Sequence, residues 1–188
     1  VFDNKLPNDP LNGLVTTAGL DWKEIFILQA YRNYLLQLRP SYSRDKINKT
    51  LLKHASICHL FVRYFQKKFT FSSHTPSKTQ FNQLKTLKKK FVDALVKVSD
   101  INEDFILRWF SNLIDHTVRT NYYTQDLDDS QLVSFKFNCD ALQIPDPRPY
   151  REIFVFDPEM EGVHIRFGPV SRGGIRWSDR LEDYRNEV

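Results

Sequence analysis

Apolar positions recur every three or four residues through the first two-thirds of the chain and every two residues after that. Ile25, Leu28, Tyr31, Leu35 and Leu38 share one face and predict a helix. Asp21-Trp22-Lys23-Glu24 has capping-box spacing at its start, and Pro40 closes it, because the residue before a proline resists the α conformation. A second helix is expected from near Ser43, with Ile47, Leu51, Ala55, Cys58, Phe61, Phe65 and Phe69 on one stripe. The polar run 70–77 reads as a connector. Phe81, Leu84, Phe91, Leu95 and Val98 mark a third helix. Asp100-Ile101-Asn102-Glu103 repeats the capping spacing and opens a fourth, carrying Phe105, Trp109, Phe110, Leu113 and Ile114. Polar residues gather at 121–130, and the helical pattern ends there.

Residues 132–137 are short, β-branched and aromatic, as in a strand. Ile144-Pro145-Asp146-Pro147-Arg148-Pro149 is neither helix nor central strand. Ile153-Phe154-Val155-Phe156 reads as a buried strand. Val163, Ile165 and Phe167 alternate with His164 and Arg166, as in a strand covered on one face. Asp179-Arg180-Leu181-Glu182 caps a short final helix. The expected class is α+β: a mainly helical region over residues 1–130, then a small β-sheet over 131–188.

Composition narrows the function classes. Apolar residues make up 41% of the 188 positions and aromatic residues 14%, enough to fill a core. A net charge of +4 suits anionic small molecules and is too small to argue for nucleic acid. The run Lys88-Lys89-Lys90 reads as a solvated helix face, with Leu84, Phe91 and Leu95 on the other side. No apolar run reaches bilayer length, so no membrane association is expected. Cys58 and Cys139 leave one disulfide or two free thiols open, and a reducing cytoplasm is the expectation. The chain starts at Val1 without an initiator Met and stops inside a predicted helix. Both are expected of a piece of a larger polypeptide.

The candidate chemistry sits late in the chain, at Ser171-Arg172-Gly173-Gly174-Ile175-Arg176-Trp177. Adjacent glycines let the backbone approach a ligand closely. The flanking guanidinium groups suit a carboxylate or phosphate. A glycine turn with two surface arginines is the plainer reading of the same residues. Gly-x-Gly-x-x-Gly and P-loop patterns are absent, so no cofactor ligand can be located. His54, Cys58 and His59 do not complete a metal site, and Cys58 lies on the apolar stripe, so no metal is expected. The proline connector reads as a rigid link. Asp179 is near enough in sequence to brace Arg172 or Arg176.

The stretches Arg151-Glu152-Ile153-Phe154-Val155-Phe156, Glu161-Gly162-Val163-His164-Ile165-Arg166 and Ser171 to Arg180 together resemble the large bacterial NAD-specific glutamate dehydrogenases. Leu14-Val15, Ala18-Gly19-Leu20 and Arg119-Thr120-Asn121-Tyr122-Tyr123 agree with them. The resemblance implies oxidative deamination of L-glutamate to 2-oxoglutarate and ammonia, with NAD as oxidant and a homo-oligomeric full-length enzyme. It also implies that the sheet begins a substrate-binding domain in which Arg172, Gly173, Gly174, Ile175 and Arg176 hold a substrate carboxylate. Arg172 stands where the smaller enzymes carry lysine. The catalytic lysine, its acidic partner and the NAD-binding domain are expected beyond Val188, leaving no catalytic residue in this piece and the piece inactive by itself. A non-catalytic helical interaction module with an anion-binding loop is the alternative.

Overall fold

Asp21 and Glu24 close the expected capping box. Glu24 N donates to Asp21 Oδ1 at 2.8 Å, and Asp21 N donates to Glu24 Oε2 at 3.0 Å. This box starts the central helix of a computed structural model that describes residues 8–38, 41–70, 78–123, 132–140, 142, 144 and 148–170. A 3-10 turn, Pro10–Gly13, precedes α1 (Leu14–Ala18), which ends at Gly19 with φ 64°, a left-handed cap that favours glycine. Then follow α2 (Trp22–Leu38), α3 (Arg44–Lys53), α4 (Ala55–Phe69), α5 (Lys78–Leu95) and α6 (Ile101–His116). The strands are β1 (Thr117–Thr120), β2 (Val133–Asn138), β3 (Arg151–Phe156) and β4 (Glu161–Arg166). They pair antiparallel in the order β1-β2-β3-β4. The α+β class expected from the sequence is the class observed.

The pattern of α2 predicts one apolar stripe, yet the whole helix from Glu24 to Leu38 is buried. The reason is its place between two layers. On one side Tyr31 and Tyr34 stack on Phe135 and Phe137, with centroids 4.2 and 4.3 Å apart. Phe26 meets Phe156 at 4.9 Å along the same sheet face. Phe65 of α4 meets the same Tyr31 edge-on at 6.0 Å and reaches Phe135 at 5.9 Å, while Asp9 of the opening turn and Asn48 of α3 cover Arg32 elsewhere on the helix. Alternate residues of β2 and β3 supply the inner face: Val133, Phe135 and Phe137, then Glu152, Phe154 and Phe156.

Three local expectations change. The second predicted helix is two, α3 and α4, broken at His54 (φ −106°, ψ 46°). There Glu103 of α6 takes His54 Nε2 at 2.8 Å and Lys53 Nζ at 2.9 Å, so the carboxylate holds the bend. Asp100 does cap α6, accepting from Asn102 N and Glu103 N, but Glu103 has left the box to serve that bend. Second, α6 passes directly into β1, a strand the periodicity does not announce, because Thr117 is already extended at ψ 117°. Third, Phe81 is 60% exposed and Phe167 63%: the first half of α5 lies away from the core, and Phe167 lies past the end of β4. The final predicted helix, the residues 145–147 of the connector and the motif at 171–177 lie outside the described residues.

Lys68 Nζ secures the C-terminal carbonyls of α6, donating to Ile114 O at 2.7 Å and Asp115 O at 2.6 Å. Lys88, at the start of the basic run, pairs with Asp115 at 2.7 Å, while Lys89 and Lys90 are exposed. Cys58 is buried and donates its thiol to Leu51 O at 3.2 Å, and neither cysteine is in a disulfide. No described helix is long and apolar enough to cross a membrane.

Candidate functional site

The β3–β4 hairpin delivers the chain to the glycine-arginine motif. Asp157 shapes its turn: its N–H donates to Met160 O at 2.8 Å, and its Oδ1 accepts from Glu159 N at 2.9 Å. Register then pairs Phe156 with Glu161, Phe154 with Val163 and Arg151 with Arg166. At the far end Tyr150 N donates to Arg166 O at 2.7 Å, extending the ladder one step past the strand. Arg166 Nη2 bonds Pro169 O and shapes the exit over residues 167–170. Arg172, Gly173, Gly174, Ile175 and Arg176 follow directly and lie outside the described residues.

The outward face of this sheet is basic. Its positions are Arg119 on β1, Ser134, Lys136 and Asn138 on β2, Arg151, Ile153 and Val155 on β3, and Gly162, His164 and Arg166 on β4. No outward strand position in that register carries an acid. Arg151 opposes Arg166 across the ladder, a like-charge pairing that destabilises a bare sheet. It is answered locally. Arg151 Nη1 donates to Asn138 Oδ1 at 2.8 Å and Asp140 Oδ2 at 3.2 Å, and its guanidinium lies over the Tyr150 ring at 4.2 Å. Arg166 Nε is buried with no hydrogen-bond partner among the described residues.

Arg119 and Lys136 also face each other across β1 and β2. They line an open cleft of about 450 Å³ with Thr120, Asn121, Ser134 and Ile153. Asn121 sets its shape: the side chain accepts from Ser134 N at 2.7 Å and donates to Leu132 O at 3.1 Å. Arg119 and Asn121 belong to the stretch 119–123 that carries part of the family resemblance. Lys136 was not singled out, although its place at an alternate polar position of β2 was readable. Such a face attracts carboxylates and other anions.

The histidines and cysteine of the α3–α4 segment resolve into structural roles. His54 bonds Glu103, and His59 Nε2 accepts from Arg63 Nε at 3.3 Å, so these histidines and Cys58 have three different sets of neighbours. No group of three metal-ligating side chains occurs among the described residues. The residues described do not fit a dinucleotide: every strand pairs antiparallel, with no strand–helix–strand crossover among them.

Residues 90–188 match the family model described as bacterial NAD-glutamate dehydrogenase, catalytic domain. The chain belongs to that family. Residues 6–71 match a second model, glutamate dehydrogenase helical motif 3. The NAD-specific glutamate dehydrogenase of Pseudomonas aeruginosa is 41% identical over 184 residues, which cover 96% of this chain and 11% of that protein. The NAD-specific glutamate dehydrogenase of Halomonas elongata is 38% identical over 191 residues, covering all of this chain and 12% of its own length. The Mycobacterium tuberculosis enzyme of the same name is 36% identical over 193 residues, with the same coverage. The chain thus spans only 11–12% of the length of these glutamate dehydrogenases. The catalytic-domain match takes in α6, the whole sheet and the glycine-arginine motif.

Proposed function

We infer that this chain is the supporting helical layer and the opening substrate-binding segment of an NAD-dependent glutamate dehydrogenase. The reaction is the oxidative deamination of L-glutamate to 2-oxoglutarate and ammonia, with NAD taking the hydride. The observation that carries the reading is the catalytic-domain match over residues 90–188, the stretch in which the β3–β4 hairpin leads into the motif.

Within this reading Arg172 and Arg176 hold a substrate carboxylate, and Gly173 and Gly174 bring backbone N–H groups to it without a Cβ in the way. Ile175 belongs to the same substrate-binding segment. Residues 1–130 act as support and residues 131–188 as the start of the substrate-binding part. Proton transfer and the NAD site belong to parts of the protein outside these residues, and the full-length enzyme works as a homo-oligomer. Two buried cysteines not joined by a disulfide support a reducing cytoplasm as its location.

The test is a spectrophotometric assay. Full-length protein is expected to form NADH when given L-glutamate and NAD, and the 188-residue chain alone is expected to form none. A full-length protein without glutamate-dependent NADH formation would end this reading. Turnover by the short chain would refute the assignment of chemistry to other segments.

A further inference from the structure

A line of polar side chains crosses the interior from the first described turn to β4. Asp9 caps the 3-10 turn by accepting from Leu11 N, and it also takes Arg32 Nη1 at 2.8 and 2.6 Å. Arg32, only 2% exposed, donates Nη1 to Asn48 Oδ1 at 3.0 Å and Nε to Asn33 Oδ1 at 2.8 Å. Arg44 of α3 donates to the same Asn33 oxygen at 3.0 Å. Asn33 then gives its own amide to Glu161 Oε1, at the first position of β4.

Burying a guanidinium costs several kcal/mol before its partners repay it, and apolar side chains of equal volume commonly stabilise at least as well. What directional bonds add is a defined position. The strand they reach is the one that needs it. β4 lies at the edge of the sheet, pairs with β3 alone among the described strands, and has all six residues half-buried. Apolar packing therefore grips it weakly. Its far end is held by Tyr150, and its near end by Asn33. From Arg166 to Arg172 is a reach of at most about 20 Å of chain.

We propose that Asp9, Arg32, Asn33 and Glu161 are a positioning relay, joining the helical layer to β4 and thereby setting the affinity of the 172–176 segment for the substrate carboxylate. The proposal rests on the catalytic reading above. None of the four touches substrate; they act through the strand.

Asn33→Asp in the full-length protein isolates the last link, because it keeps the acceptor for Arg32 and Arg44 but turns a carboxylate toward Glu161. It is expected to raise KM for glutamate about 10-fold with kcat changed less than about two-fold, and to speed amide exchange in β4. Glu161→Gln combined with Asn33→Asp exchanges donor and acceptor, and is expected to restore KM and exchange to near wild type. An unchanged KM in Asn33→Asp, equal losses in kcat, or a double variant no better than the single would overturn the relay. Absent activity in the wild-type protein would instead remove the catalytic reading. In that event exchange in β4 still decides the relay, since unaltered protection in Asn33→Asp would refute it and faster exchange restored by the double variant would sustain the link.

Discussion

Tyr31 of α2 lies flat on Phe135 of β2, centroids 4.2 Å apart and planes 8° from parallel, while its hydroxyl meets Thr117 Oγ1 at 2.8 Å. Thr117 spends its own proton on Leu113 O at 2.7 Å, so the Tyr31 hydroxyl is the donor. One side chain thus joins the central helix to the sheet and to the junction where α6 becomes β1. Tyr31→Phe keeps the stack and strands no donor, and is expected to cost about 0.5–1.5 kcal/mol. Tyr31→Ala opens a cavity between the layers and is expected to cost about 3–5 kcal/mol. Urea unfolding of both variants checks the ratio.

Glu103 predicts a pH dependence. Hydrogen bonds from His54, then from Lys53, hold its carboxyl below the usual carboxylate range. A depressed acid stabilises the fold above its unfolded pKa, and that contribution is lost as pH falls through the folded value. The Tm gap between wild type and Glu103→Gln should therefore be widest near neutrality and shrink from about pH 5 to pH 3. A gap that grows on acidification would contradict the assignment. Lys53 is 61% exposed, so most of the effect should follow His54, and Lys53→Ala should change Tm little.

The motif itself is tested by charge. Arg176→Ala in the full-length enzyme should lower kcat/KM for glutamate about 10-fold or more, since a lost charged hydrogen bond costs about 1.5–3 kcal/mol. Unchanged kinetics would take Arg176 out of the site. Arg172→Lys keeps the charge and should be much milder than Arg172→Ala.

Burial pushes the Cys58 thiol well above its ordinary pKa, and Cys139 is also fully buried. Both are expected to resist a thiol reagent in the folded chain and to react together on unfolding. Fast labelling of Cys58 under native conditions would show that α3 and α4 separate readily at the His54 bend.

Much of this protein is legible in its amino-acid order. Caps at Asp21 and Asp100 and the change of apolar period from helix to strand are local signals, because each is set by neighbours within a few residues. The chain decides in the same way which face of β2 is apolar, whereas β3 carries apolar residues on both faces, and the glycine-arginine motif is carried openly. Only tertiary packing decided the rest. Nothing local says that α2 is buried on every side: its polar Gln29, Arg32 and Asn33 are covered only when Asn12 and Asp9 of the opening turn, Asn48 of α3 and Glu161 of β4 meet them. The break at His54 depends on Glu103, forty-nine residues away, and the hold on β4 joins Asn33 to Glu161 across 128 positions. Periodicity reports that a face will be covered. Which element covers it, and which polar groups then find one another, is settled when distant segments share one interior and each desolvated charge must be matched.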